Sequence, residues 1–405
     1  LTAARRPPGL KAVAASVARM SNGYSHYYPG GVLEEAYLRV LDQLWDGSWE
    51  SITGHPEMGP WWEQMQAEQT IPPESIDVPI LLQSGWWAHN VDLSFEGFAA
   101  LRERSPKGRT AKLLIGPWSH GSSGFLKQGD LAYPDAVDMD KHHVRRFFDR
   151  WLRGRDNGVD RESPVHYYQL GRNKWVAAAT WPPASRDRAY YLRAGSRLSD
   201  APPGIEAPDS YSSVPSDPSP SVGGPITGTS PQFPDLTVGP AYQDARVLTG
   251  RGDYRIYDSA ELNQDVDVAG APRLRLFVAS DQPDADLAVR LCDYDPAAPE
   301  DRRTLLVMTG IRRLRYRKSW TSAAFLSPEA LEEARIEMNP IAYTWRKGHK
   351  VRIIVSSSNY PLYSVNPQNG DSFIWEEREE RVATIRIHHD DDHPSVLVLP
   401  VKGGR

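Results

Sequence analysis

Two uninterrupted apolar runs, joined by a segment with helical spacing, form the most regular part of the chain. Residues 78–83 (VPILLQ) and 111–116 (AKLLIG) are apolar at nearly every position, as strands covered on both faces are. Between them, residues 91–104 place apolar side chains three and four positions apart, which is typical of a helix with one buried face. The pattern therefore predicts a strand–helix–strand unit of a parallel sheet.

Other patterns flank this unit. Amphipathic spacing predicts helices over residues 33–44 and 138–153, and residues 164–176 (PVHYYQLGRNKWV) predict one more strand. Residues 200–240 are rich in Pro, Ser, Gly and Asp without periodicity, and predict a long connection. The short β-type runs that follow predict an antiparallel sandwich or jelly roll. These runs are residues 273–280, 285–294, 304–317, 333–345, 350–358 and 395–400.

Composition excludes several classes of protein. The chain has 405 residues, which favours more than one domain, and its 47 basic and 52 acidic groups give a formal net charge of -5. It has no dense Lys/Arg run of the kind that binds nucleic acid, and no apolar stretch near the roughly 20 residues that span a bilayer. The single cysteine, Cys292, excludes an internal disulfide framework. Together with the lack of a visible signal peptide, it favours a cytoplasmic location.

The first residues have the pattern of the interior of a fold. LTAARR predicts the last turn of a helix, Pro7 and Pro8 end it, and residues 10–15 predict a strand. A domain rarely begins on the last turn of a helix. We therefore expect the preceding part of the fold to come from a second chain, from a cleaved fragment or from an omitted part of a longer chain.

Residues that could take part in catalysis or ligand binding lie where the two apolar runs end. SGWWAHN (84–90) closes the first run and GPWSHG (116–121) closes the second. In a parallel sheet the carboxyl ends of the strands share one edge, where ligands bind. His120 is therefore expected on the same rim as the Trp86–Trp87 pair. An imidazole titrates near neutral pH and suits a general base, although a loop histidine is also often structural.

An ordered series of motifs extends along nearly the whole chain. It comprises PPGLKAVAAS, GHPEMGPWW, VPILLQSGWWAHN, KLLIGPWSHG, FFDRWLRGRDNG and VRIIVSSSNYPLYSVNPQNG. In these motifs the chain resembles the cocaine esterase / X-Pro dipeptidyl-peptidase (CocE/NonD) family. The resemblance implies an α/β-hydrolase domain with an inserted helical cap and an all-β jelly-roll C-terminal domain. The implied organisation is a hydrolase segment after the nucleophile elbow (1–22), the cap (23–75), the hydrolase domain with the acid and histidine loops (76–180) and the jelly roll (181–405).

The resemblance also implies serine hydrolysis or acyl transfer on ester or amide bonds through a Ser–His–Asp triad. His120 matches the family's general base, and Ala88 occupies the position of the family's aspartate. No Gly-x-Ser-x-Gly elbow occurs in the 405 residues, so the nucleophile is expected from an N-terminal part or a partner chain. The chain as it stands is then inactive or impaired. The alternative is a catalytically inactive homologue that binds a ligand or acts as a scaffold.

Several residues have both a functional and a structural interpretation. Asp92 is either a substitute for the missing acid or a cap of the helix over residues 91–104. The substrate-pocket candidates, each of which also fits a core or surface position, are Trp61, Trp62, Trp86, Trp87, His89 and Trp118. His142 and His143 fit a helix surface, and HHDDDH at 388–393 fits a solvated turn, so we expect no metal and no cofactor. The expected ligand is a small acyl ester or amide, and a homo-oligomer stays open.

Overall fold

The computed structural model describes residues 2–228, 231–376 and 378–403. A five-stranded sheet occupies the first part of the chain and a 13-stranded sheet the second. The helices are α1 (Tyr24–Tyr27), α2 (Glu35–Leu44), α3 (Ser48–Thr53), α4 (Pro60–Gln69), α5 (Val91–Arg104) and α6 (Met139–Arg153). The strands before the second sheet are β1 (Val13–Ser16), β2 (Ile80–Trp87), β3 (Lys112–Ser119), β4 (Lys127–Gln128), β5 (Leu131–Ala132), β6 (Val165–Gln169) and β7 (Lys174–Ala178).

The five-stranded sheet has the order β1-β2-β3-β6-β7. Strands β1, β2, β3 and β6 run parallel, and β7 returns antiparallel to β6. Every residue of β2 and β3 is buried, because helices cover both faces, and α5 connects the two strands. This confirms the predicted strand–helix–strand unit in a single sheet.

Two glycines shape the ends of β2 and β3. Gly85 pairs with Gly116, and the register shifts between Gly85 and Trp87. A Cβ atom on Gly85 would lie 2.1 Å from the Trp118 carbonyl oxygen, and one on Gly116 would lie 2.3 Å from the Trp118 ring. Only glycine permits this close approach, which lets Trp118 fold back over the strands. The loop after β3 consequently starts at a fixed place beside β2.

Residues 17–79 between β1 and β2 form a helical layer with its own aromatic core. Tyr24, Tyr28 and Trp62 pack together there, and Phe373 of the second sheet's connections joins them. The layer is tied to the second sheet by backbone hydrogen bonds, such as the one from the Ala36 N–H to the Pro361 carbonyl (3.0 Å). These contacts hold the helical layer over the carboxyl edge of the first sheet.

The larger sheet is antiparallel apart from one short parallel contact, in which Asp258 pairs with Arg197. This confirms the antiparallel organisation that the short β-type runs predicted. Its strands are β8 (Ser185–Arg193), β9 (Arg197–Ser199), β10 (Asp209–Ser213), β11 (Tyr254–Asp258), β12 (Val266–Gly270), β13 (Arg273–Ser280), β14 (Asp286–Tyr294), β15 (Thr304–Arg313), β16 (Glu332–Glu337), β17 (Ile341–Trp345), β18 (Lys350–Ser356), β19 (Ala383–His388) and β20 (Val396–Lys402).

Several sequence-based boundaries were wrong. Residues 164–176 form the hairpin β6–β7 rather than one strand, because Gly171 and Asn173 adopt positive φ angles that reverse the chain. Residues 333–345 divide into β16 and β17 around Asn339 and Pro340. The run at 304–317 leaves the sheet after Arg313. The connection over 200–240 contains β10, whose polar residues give no apolar signal.

The chain start partly matches its pattern. The helix predicted over residues 1–6 is a 3-10 turn, Ala3–Arg5, and Leu1 lies outside the described residues. The predicted strand is β1, which pairs with β2 through Val13 and Ile80. Within the described ranges, every helix is too short or too polar to cross a lipid bilayer.

Candidate active site

His120 lies where β3 ends, beside the end of β2. The register pairs Trp87 with Ser119, so the next residues, Ala88 and His120, are neighbours at the carboxyl edge of the sheet. Ala88 is fully buried, and its backbone N–H donates to the Gly85 carbonyl over 3.0 Å. The structure thus brings together the two positions that the sequence assigned to the general base and to the family's acid.

The His120 ring has no hydrogen-bond partner on one side. Its Nδ1 atom is buried and bonds to none of the described residues. Burial, and after it the positive charge of Arg19, lowers the pKa of His120 below its ordinary value, which keeps the ring neutral near pH 7. In a serine-hydrolase triad an aspartate accepts the Nδ1 proton and fixes the tautomer. Here residue 88, which the register places beside residue 120, is an alanine and offers no carboxylate.

Three imidazoles and a phenol stack beside the strand ends. The His89 ring centroid lies 4.6 Å from that of His120, 4.4 Å from that of Tyr37 and 5.2 Å from that of His26. The Thr227 hydroxyl lies 2.8 Å from His89 Nδ1 and fixes this ring. Burial is the main reason that the pKa values of His26 and His89 lie well below the ordinary range. These two rings are therefore uncharged at neutral pH.

Arg19 holds the stack from the end of β1. Its Nη1 atom lies 2.7 Å from His26 Nε2 and 3.2 Å from the Tyr37 hydroxyl. Since a guanidinium group only donates hydrogen bonds, His26 Nε2 must be an acceptor. Val17, with a φ of 44°, turns the chain out of β1 and directs it towards the histidines. Arg19 thereby supplies the positive charge that favours neutral rings around it.

A cavity of about 60 Å³ adjoins the stack. Its wall contains His26 and His89 together with the carboxyl groups of Glu34 and Asp92, and β15 closes it through Thr309 and its neighbours. This volume holds a few water-sized groups rather than a whole substrate. Because His89 contacts both the cavity and the His120 ring, the cavity is separated from the candidate base by one imidazole.

Two carboxyl groups of the cavity have no cationic partner in the part of the chain that the structure describes. Glu34 is buried, and its Oε1 atom makes no hydrogen bond with the described residues. Burial and then the nearby Asp92 raise the pKa of Glu34 well above its ordinary value. Burial also raises the pKa of Asp92 to about 6, against the opposing effect of the Leu93 N–H. Burial thus favours the protonated form of Glu34, whereas Asp92, with a pKa of about 6, is largely ionised at pH 7.

Asp92 occupies the first turn of α5. Within the described ranges it makes no hydrogen bond to His120, so it has no contact through which it could replace the missing acid. Its carboxylate instead receives the Leu93 N–H and adds negative charge at the helix N-terminus, where such charge is favourable. The residue before the helix, Asn90, makes no side-chain cap. The geometry therefore favours the helix-end role over the catalytic one.

Four of the five tryptophan candidates lie in the protein core, and Trp61 is half-buried in the helical layer. Trp86 is fully buried, donates its indole N–H to the Tyr168 carbonyl (2.7 Å) and packs on Phe95. Trp87 and Trp118 are equally buried, as is Trp62 within the helical layer, and Trp61 stacks on His55. None of these rings belongs to the wall of the described cavity. Their role in a substrate pocket stays a prediction, and Trp86, Trp87 and Trp118 are packed in the core around the sheet.

The other predicted histidines divide between exposed and buried positions. His89 was weighed as an exposed loop residue, yet it is buried and lines the cavity. His142 is exposed, as its place on α6 suggested, whereas His143 is half-buried against Trp175.

Four residues of the site were missed by the sequence reasoning, namely Arg19, His26, Glu34 and Tyr37. Arg19 and His26 lie in short turns and a four-residue helix without sustained periodicity. Glu34 and Tyr37 fall within the amphipathic pattern of residues 33–44, which predicts a helix but not a site. One usable signal was present: the adjacent acids Glu34 and Glu35 lie beside buried apolar residues at the start of α2. A buried acid at such a place needs a hydrogen-bonding or cationic partner, so it could have indicated a site.

Two family models match the chain. Residues 157–398 match the X-Pro dipeptidyl-peptidase C-terminal non-catalytic domain, and residues 34–122 match the X-Pro dipeptidyl-peptidase (S15 family). Cocaine esterase of Rhodococcus sp. is 30% identical over 370 residues, which cover 87% of this chain and 61% of that enzyme. The chain thus spans between about half and three fifths of the lengths of the first curated relatives it matches.

Solved structures agree on the fold. An α-amino acid ester hydrolase has a TM-score of 0.83 at 23% identity, covering 99% of this chain and 74% of the other. An aminopeptidase from a Thaumarchaeota archaeon has a TM-score of 0.82 at 23% identity, covering 98% and 73%. Both support an α/β-hydrolase sheet followed by a C-terminal β domain. From the matched models, the esterase relative and this shared fold, the chain belongs to the cocaine esterase / X-Pro dipeptidyl-peptidase (CocE/NonD) family of α/β-hydrolases.

Proposed function

We propose that this chain contributes the histidine loop, the cap and the jelly roll of a serine hydrolase or acyltransferase that acts on ester or amide bonds. The observation that carries the proposal is the position of His120. It is a neutral imidazole at the carboxyl edge of a parallel sheet, one ring away from a small cavity. A neutral imidazole at such an edge can accept a proton from an attacking hydroxyl group.

In this mechanism a serine hydroxyl attacks the acyl carbonyl carbon while its proton passes to Nε2 of His120. The imidazolium then returns the proton to the departing alkoxide or amine, and an acyl-enzyme remains. Water, or another acceptor hydroxyl or amine, repeats the attack with His120 again as base. Ala88 offers no carboxylate to orient the ring, and loss of that group typically lowers turnover by about 10⁴.

The serine is proposed to come from polypeptide outside these 405 residues. Among residues 2–228, 231–376 and 378–403, no serine hydroxyl makes a hydrogen bond to His120. Strand β1 pairs with β2 alone among the described strands, so its other edge is free to pair with a further strand. The unpaired backbone N–H and C=O groups of an edge strand favour pairing with a further strand. The N-terminal part of the hydrolase, on the same or a partner chain, would add its strands there.

The acidic groups of the cavity wall support the proposal that the substrate carries a positively charged amine. Neither Glu34, which is buried, nor Asp92, which is half-buried, has a cationic partner among the described residues, and an ammonium group placed between them would favour the ionised form of both. The neutral rings of His26 and His89 belong to the same wall, which contains no Lys or Arg side chain among its described lining residues. The volume of about 60 Å³ suits a head group, and His89 places that head group next to the reacting end at His120.

Replacement of His120 tests the catalytic proposal. In the complete hydrolase, His120→Gln should lower kcat/KM for a 4-nitrophenyl ester by about 100-fold or more, because the proton acceptor is removed. The release of nitrophenolate measures this. His142→Gln, which changes an exposed histidine on α6, should leave the rate unchanged. Equal activity of the His120 variant would instead favour the alternative of an inactive homologue that binds a ligand or acts as a scaffold.

Replacement of Glu34 tests the substrate class. Esters of free amino acids should be preferred about tenfold over the N-acetylated esters, and Glu34→Gln should abolish that preference. The preference should strengthen as pH rises through about 6, because Asp92 then ionises, and should weaken again near pH 8, where the substrate amine loses its charge. Glu63→Gln, at an exposed position of α4, is the control. An undiminished preference in the Glu34 variant would contradict the amine subsite.

A further inference from the structure

The turn between β19 and β20 brings two imidazoles and a carboxylate together. His388 ends β19, and Asp390 and His393 follow in the turn before Val396 begins β20. The three side chains each offer a nitrogen or oxygen atom within 4.8 Å of the other two. The sequence alone indicated a solvated turn, because linear spacing does not show that Asp390 lies between the two rings.

Two nitrogen–oxygen distances in this group, each to a different oxygen of Asp390, are close to the ligand separations of a tetrahedral metal site. His393 Nδ1 lies 3.0 Å from Asp390 Oδ1, and His388 Nδ1 lies 3.8 Å from Asp390 Oδ2. Ligands about 2.0–2.1 Å from a tetrahedral zinc ion are roughly 3.3 Å apart, a separation between these two values. Side-chain exposures of 23%, 19% and 37% for His388, Asp390 and His393 leave room for an ion to enter and for water as a fourth ligand.

The ligands are already held in place by their surroundings. Asp390 Oδ1 accepts the backbone N–H groups of Asp392 and His393, at 3.0 and 2.9 Å. The Ser395 hydroxyl donates to the His388 carbonyl over 2.6 Å, and the His393 ring packs 5.5 Å from Phe277 of β13. Such fixed partners reduce the ordering cost of binding and orient the ligands.

The turn itself is anchored to the sheet by the residue between the first two ligands. His389 is fully buried, and its Nε2 lies 3.1 Å from Asp209 Oδ2 of β10. Since neighbouring residues of an extended chain point to opposite faces, burying His389 directs His388 and Asp390 to the outer side. The candidate ligands therefore share one surface.

We propose that His388, Asp390 and His393 bind one divalent transition-metal ion, with zinc as the best match. Two imidazoles and one carboxylate suit zinc, whereas calcium and magnesium prefer oxygen ligands alone. The ion clamps the end of β19 to the start of β20. This site is on the second sheet and does not depend on the proposed hydrolase activity.

Zinc titration of the metal-free, untagged chain tests the site. Calorimetry should show one equivalent bound with a Kd in the micromolar range or tighter, and cobalt should give the visible absorption of a tetrahedral site. The His388→Gln/His393→Gln double variant should bind at least tenfold more weakly and lose the zinc-induced rise in Tm. The matched His142→Gln/His143→Gln variant, which removes the neighbouring pair on α6, should bind as the unchanged chain does.

Asp390→Asn provides a second test if the double variant fails to fold. An asparagine retains the oxygen that accepts the Asp392 and His393 N–H groups but loses the ligand charge, so the turn should persist while zinc affinity falls at least tenfold. Unsaturable binding, or equal affinity in the unchanged chain and these variants, would overturn the proposal.

Discussion

Replacing Ala88 by aspartate is expected to raise the pKa of His120 and, in the complete hydrolase, to increase turnover by about 10³–10⁴-fold. The register of β2 and β3 sets residue 88 beside residue 120, and the buried Nδ1 of His120 has no partner among the described residues. A carboxylate there would accept the Nδ1 proton, orient Nε2 towards the nucleophile and stabilise the imidazolium that forms during attack.

The pKa of His120 can be measured by NMR titration of this chain alone, without any nucleophile. Burial and Arg19 now hold that pKa below the ordinary value, and the added negative charge should move it upwards. Ala88→Asn is the matched control, because it has nearly the same shape as aspartate but no charge. If Ala88→Asp leaves the pKa of His120 where the asparagine variant has it, residue 88 does not face Nδ1 and the triad interpretation fails.

The sequence was most informative where local pattern and tertiary environment agree. Strands β2 and β3 are apolar at nearly every position because both of their faces are covered, so their pairing and the α5 connection were predictable. His120 was predictable for the same reason, since a strand end in a parallel sheet has a defined place. Once the two strands are predicted as neighbours, the motifs that end them, SGWWAHN and GPWSHG, predict that Ala88 and His120 lie side by side.

The cavity was not predictable because the local pattern around each of its residues gives no sign of a site. Glu34 precedes α2, His26 lies in a four-residue helix, and Asp92 looks like an ordinary helix-start acid. Only the packing of the helical layer against β15 buries Glu34 opposite Asp92 and shifts both pKa values. The orientation of the tryptophans was not predictable for a related reason, since an aromatic side chain at a strand end can turn outwards to a ligand or inwards to the core with the same sequence.

A buried network of charges fixes β15, the strand that closes the cavity. Arg313 makes two hydrogen bonds to Asp286, at 2.9 and 3.0 Å, with side-chain exposures of 2% and 1%. Arg315 bonds to Asp284 through its Nε (2.7 Å) and its backbone N–H (2.9 Å), and the Asn366 amide bridges the two carboxylates at 2.9 and 2.8 Å. The network therefore joins β15, the start of β14 and the connection after β18.

Movement of β15 would reach the site through the helical layer. A Cβ atom on Gly30 would lie 1.9 Å from the Ile311 carbonyl oxygen, so the turn before α2 touches the strand backbone directly. Gly30 adopts a φ of 61°, a conformation that glycine tolerates at little cost. The position of Glu34, four residues later, depends on this contact. Stability of the charge network and geometry of the cavity are therefore coupled.

Asp286→Ala is expected to lower the free energy of unfolding by about 3–5 kcal/mol, because it leaves the Arg313 guanidinium buried without its partner. Urea denaturation followed by tryptophan fluorescence measures the loss. Replacing both members, Asp286→Leu with Arg313→Met, should cost less than Asp286→Ala alone, since no uncompensated charge remains in the interior. Arg335→Ala, which breaks a pair whose arginine is 80% exposed on β16, should change stability by only about 0–1 kcal/mol. Equal losses in the buried and exposed variants would mean that β15 is held by its strand pairing and apolar packing, and that the charges contribute little.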